Sequence, residues 1–219
     1  MKLKFVIDKE YDEYWVKDKK WAKAFGFKKG TLEEMEGVYK ISRPYLELTR
    51  ELYQKVWNEI NDEFSESVER TIGYKWFYPR YECVVSVIHP GISNWGEAPK
   101  IVVHWRYNPY HMRSITAHEL VLSHYFEIYK RHFKDEGLTE GQVWALAEIA
   151  AYALTSFTPE AKKFWPWDAI YYTNHNYPHI VDLQKKLKLA FIKRKDFEGY
   201  IRKGVTLVKK YPNMSPHGK

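Results

Sequence analysis

A single cysteine in 219 residues excludes a disulfide framework and fits a reducing compartment, so a cytoplasmic location is expected. No apolar run approaches the roughly 20 residues that cross a bilayer, so no membrane partner is expected. The opening stretch, Met1 to Asp8, is too short and too soon charged for a signal peptide. Repeats, low-complexity segments and linker-like stretches are absent, which points to one domain over residues 1–219. Also missing are a phosphate loop, a Rossmann glycine pattern and a Ser-His-Asp order, which removes the commonest nucleotide-binding and serine-hydrolase readings.

What is present is aromatic and charged. Phe, Trp and Tyr make up 17% of the chain, enough to build a core and to line a cleft where one end of the ring stays wet. The formal net charge is +7, with Lys and Arg in excess between Lys185 and Lys210. That surplus reads as a solvated helical face in preference to a nucleic-acid patch, which stays the lesser alternative. Heavy use of Lys and Glu with little Cys and Met fits a heat-adapted protein.

Periodicity predicts an α+β, predominantly helical domain with a small antiparallel sheet. Lys2 to Ile7 reads as a strand and Glu10 to Phe25 as a helical stretch. Leu48, Leu52, Val56 and Ile60 mark a long amphipathic helix from Pro44 to about Arg70. Tyr81–His89 and Lys100–Tyr107 are rich in β-branched residues and read as a hairpin with a long loop. Helices follow over Ser114–His132 and, capped by Thr139, to about Phe157. After Thr158-Pro159-Glu160 and an aromatic loop through Tyr171, His175 and Tyr177, two amphipathic helices near Ile180–Phe191 and Asp196–Lys210 close the chain.

The concentrated polar chemistry falls on the two central helices. Glu148 stands in Gln142-Val-Trp-Ala-Leu-Ala-Glu148-Ile-Ala-Ala-Tyr-Ala-Leu154, with apolar neighbours in every direction, and a carboxylate buried there needs a partner. The preceding helix offers His118, Glu119, Ser123, His124 and Glu127. Histidine and glutamate suit a borderline cation such as zinc, and a glutamate beside a metal-bound water can act as its general base.

A strand pair, a helix with His118-Glu119 and a second His124, then a helix with Glu148 in an apolar run, resembles the zincin metallopeptidases of the glutamate-ligand branch, the gluzincins. The resemblance covers a core of about residues 81–157. It implies a zinc-dependent hydrolase, most plausibly a peptidase. His118, His124 and Glu148 would then be ligands, Glu119 the general base, and the strand Lys100–Tyr107 the one that holds a peptide substrate. The pattern also resembles a group of proteins of hyperthermophilic archaea, a likeness that implies no activity.

The spacing departs from the zincin motif, in which the second histidine follows four residues after the first. Here position 122 is leucine and His124 comes six residues on. In a regular helix that leaves the two imidazoles about 120° apart and about 9 Å apart along the axis. A π-bulge, or a helix that begins only after His118, would reduce the mismatch. The alternative set is His124, Glu127 and Glu148, akin to the carboxylate-rich metal sites of helical bundles. His104 on a strand and His175 in the aromatic loop are accessory candidates. Two further readings stay open: a non-catalytic interaction scaffold, and nucleic-acid binding through the basic C-terminal helices.

Overall fold

The computed structural model describes residues 1–24, 26–89, 91–93, 99–165 and 177–214. By its internal contacts the chain divides into two compact units. One comprises Met1–Asp62 and Tyr78–Glu119, the other Glu63–Phe77 and Leu120–Lys219.

The first unit holds the sheet. Its strands are β1 (Lys2–Val6), β2 (Arg80–Ser86), β3 (Gly91–Ser93) and β4 (Lys100–His104), in the order β1-β2-β4-β3. The antiparallel sheet expected from sequence is not formed: β1, β2 and β4 are mutually parallel, and β3 alone runs against β4. The hairpin is lost for a topological reason. After β2 the chain pairs Gly91 with Val103 and Ser93 with Ile101, then returns, so β4 enters in the same direction as β2. Strands covered on both faces read as unbroken apolar runs. Val84, Val85, Ile101, Val102 and Val103 are all fully buried.

Helices α1 (Lys9–Val16), α2 (Lys19–Ala24) and α3 (Leu32–Asn58) belong to this unit. Asp8 caps α1 by accepting from the Tyr11 amide at 3.0 Å, and Thr31 caps α3 through the Glu34 amide at 3.2 Å. The Glu34 carboxylate reaches back to the amides of Lys28, Lys29 and Gly30, which fixes the entry to α3. The long helix therefore starts 12 residues before Pro44, which lies inside it. Met35, Tyr39, Leu46, Tyr53 and Trp57 form its buried line. The Tyr53 hydroxyl ties α3 to the end of β4, donating to the carbonyl oxygens of His104 and Tyr107, each at 3.0 Å.

Helix α4 (Asn61–Ile72) and the central helix α5 (Pro109–His132) each contribute to both units. The second unit adds α6 (Glu140–Ser156), α7 (Ala161–Phe164), α8 (Ile180–Ile192) and α9 (Phe197–Val208). Gln142 organises their junction. It forms a reciprocal cap with Thr139, and its Nε2 donates to the carbonyls of Val208 at 3.1 Å and Tyr211 at 3.2 Å. Replacing Gln142 by alanine removes the side-chain half of the capping box and both donations to the end of α9, although the Val208 carbonyl keeps the Tyr211 amide at 2.9 Å. Chemical denaturation should show a loss of about 2 kcal/mol; a variant as stable as the wild type would contradict this role.

Candidate functional site

Helix α5 decides what its histidines can do together. It is α-helical without interruption from Pro109 to His132, and it starts before His118, not after it. Neither device that would bring His118 and His124 onto one cation is therefore there, and the rings stay about 120° apart around the axis. His118 is half-buried, whereas His124 is fully buried.

The surroundings of His124 are aromatic. Its ring stacks on Trp76 with centroids 4.5 Å apart and tilts against Phe77 at 5.3 Å. Neither ring nitrogen makes a short, well-aligned hydrogen bond to a described residue. Burial pushes its pKa down to about 4, against smaller upward pulls from the Tyr74 main chain and the Glu69 carboxylate. Glu127, one turn on, is held by Arg131 at 3.3 Å and Lys130 at 3.7 Å. The alternative set His124, Glu127 and Glu148 is thus not brought together either. Among the described residues, no group of three or more His, Cys, Asp or Glu could hold a metal ion. The zinc ligand set implied by the resemblance does not fit this helix as a set.

Glu119 is placed differently. It is 8% exposed, on the part of α5 that follows β4. It lies near enough to Cys83 of β2 to help burial push that thiol well above its usual range. Glu148 is half-buried, where full burial was expected. Trp144, Glu148 and Tyr152 recur every four residues on α6 and form its half-exposed line, so the helix is not covered all round. Burial first, then the nearby Glu148 charge, raises the phenols of Tyr152 and Tyr177. His104 ends β4, where burial lowers its pKa to about 4, helped by Arg106. His175 lies outside the described residues. On the basic C-terminal helices, Lys186 meets Asp182 at 2.7 Å, Arg202 meets Glu198 at 2.7 Å and Lys209 meets Glu136 at 2.9 Å.

The tightest polar cluster in the first unit was not singled out from the sequence. Asp12 of α1 is fully buried. It accepts from the Tyr39 hydroxyl at 2.6 Å, the Val87 amide at 3.1 Å and the Ser86 hydroxyl. Ser86 in turn accepts from the amides of Ile88 at 3.1 Å and His89 at 2.9 Å. Three donors would lower a carboxyl pKa, yet burial outweighs them and raises Asp12 to about 6. The cluster sits at the carboxyl ends of the parallel strands, beside His89, whose pKa burial lowers to about 4. Its place in the aromatic run Tyr11-Asp12-Glu13-Tyr14-Trp15, four residues before Val16 on the same helix face, was the available signal.

These groups give the stability a shape in pH. Between pH 6.5 and about 4 the unfolded chain protonates His124 while the folded chain does not, so stability falls as the pH drops through that window. One such histidine is worth about 3 kcal/mol across it. Asp12 has the opposite slope. Its raised folded value favours the native state at low pH and loses that contribution as pH rises through about 6. The variant His124→Phe, which keeps an aromatic ring on Trp76, should flatten the acid limb seen in denaturation at pH 4 and pH 7. An unchanged limb would show that His124 is not held neutral.

No family model matches the chain, and no curated protein or solved structure matches it.

Proposed function

We propose that the protein is a hydrolase acting on an extended polypeptide, with Glu119 as the general base. One observation carries this reading: a nearly buried carboxylate on the helix that leaves β4, set near β2, in a sheet whose terminal strand beside β4 is antiparallel. A terminal strand offers backbone donors and acceptors to an extended chain, which adds as a further strand. A positioned carboxylate takes a proton from water as the water attacks a peptide carbonyl. The zincin resemblance supports the same base. On this reading β3, as the strand at the sheet's end beside β4, would take the substrate-holding role that the resemblance implies for Lys100–Tyr107. Zinc would supply a Lewis acid and an acidified water. Among the described residues, His118, His124 and Glu148 do not come together as a ligand set for it.

In a second reading the same strand edge binds a partner polypeptide without cleaving it, which needs only the terminal strand. Quenched-fluorescence peptide libraries and an unfolded protein substrate separate the two. Hydrolysis should fall at least about a hundredfold in Glu119→Gln and stay within about twofold in His124→Phe at neutral pH. Full activity in Glu119→Gln, or loss in His124→Phe without loss of fold, would overturn the assignment. Peptide binding with no turnover in the wild type would establish the second reading.

A further inference from the structure

Just beyond the carboxyl end of β1 the first unit holds a cavity of about 780 Å³, a volume ordinary for a small-molecule site. Open parallel sheets offer ligands the crevice outside the carboxyl ends of their strands. Here Ile7 follows β1 directly, and the buried side chains of Tyr39 and Leu46 on α3 complete an apolar floor. The floor is fixed from behind. The Tyr39 hydroxyl donates to buried Asp12 at 2.6 Å, and Asp12 accepts in turn from the Val87 amide just after β2.

The rim is charged, and its charges are unequally used. Lys9 is held by Glu36 and, at 3.5 Å, by Glu13. Glu47 takes the Nε of Arg43 at 3.5 Å, which leaves the two terminal nitrogens of that guanidinium without an acceptor among the described residues. Lys40 has no ion pair among them. Three residues apart on α3, Lys40 and Arg43 are neighbours on the helix surface. The rim therefore engages both its carboxylates and leaves donors over, so what completes it brings acceptors. Gly37 points the same way independently. It lies inside α3 and on the cavity wall. Its backbone is not left-handed, and nothing in the rest of the chain lies within 4 Å of the point its Cβ would occupy. Neither conformation nor packing calls for a residue that weakens the helix there.

We infer that the cavity binds a small organic anion. An apolar body rests on Ile7, Tyr39 and Leu46 and passes over Gly37, and one carboxylate or phosphate group meets Lys40 and Arg43. The free donors of the rim then have charged acceptors, and the body takes apolar surface out of water. A long polyanion is disfavoured, because Glu36 and Glu47 flank the two cations. The inference is independent of the hydrolase reading, which rests on Glu119 and β3.

Fluorescence titration of the full chain near neutral pH tests it with two dyes. Anilinonaphthalene sulfonate carries one anionic group on an aromatic body, and phenylnaphthylamine is its uncharged counterpart. The sulfonate should bind at one dye per chain and at least about tenfold more tightly than the amine. Lys40→Gln with Arg43→Gln should remove that difference and leave the amine bound as before. Gly37→Leu should weaken both dyes at least about tenfold by filling the space they need. Its melting temperature should be unchanged or higher, since a glycine leaves the helix interior. Octanoate or phenyl phosphate should displace the sulfonate, and whichever competes at the lower concentration names the acid group. The absence of saturable binding, or equal affinity for the two dyes, would overturn the proposal. So would indifference of either variant, or displacement by neither competitor.

Discussion

An α-helix turns 100° per residue, and in α5 that register is unbroken over 24 residues. The separation of the two histidines follows from it. One register position sends a ring into the aromatic packing of Trp76 and Phe77, while another keeps a half-buried imidazole beside a buried glutamate in the sheet-bearing unit. The helix therefore does two jobs that the sequence writes as one motif: His124 fills a core, and His118-Glu119 accompanies the sheet.

Burial sets the behaviour of the remaining ionisable groups. Asp12, His89, His104 and His124 are all pushed toward their neutral forms, and even three hydrogen-bond donors do not keep Asp12 in the usual carboxylate range. For Asp12, His89 and His104 the parallel strands are the common cause. Their carboxyl ends gather Ser86, His89 and His104, while covering helices take water away. Polar groups so placed must satisfy one another, which is what Asp12, Tyr39 and Ser86 do.

Local signals were legible in the sequence and distant pairings were not. Thr139 with Gln142, and Asp196 ahead of α9, declared their helices through caps formed within three residues. The sheet depends on partners far apart: β1 pairs with a strand almost 80 residues later, and β3 intervenes where a hairpin was expected. The series Leu48, Leu52, Val56, Ile60 read as one face, but a four-residue step advances 40° per turn of the helix. It starts on exposed positions of α3 and ends in the core. Asp12 was hidden because its partners lie 27, 74 and 75 residues away. In the candidate site, Glu119 was named from residue type alone, and its burial near Cys83 came only with the fold.

The central claim is that α5 keeps a buried, neutral His124 apart from the His118-Glu119 pair. Heteronuclear NMR titration of the imidazole nitrogens tests it most directly, since it reports each ring in the folded protein. The account predicts that His124 stays neutral until the pH approaches about 4. A His124 ring that protonates near 6.5 or above, or whose nitrogens shift on addition of zinc, would contradict it.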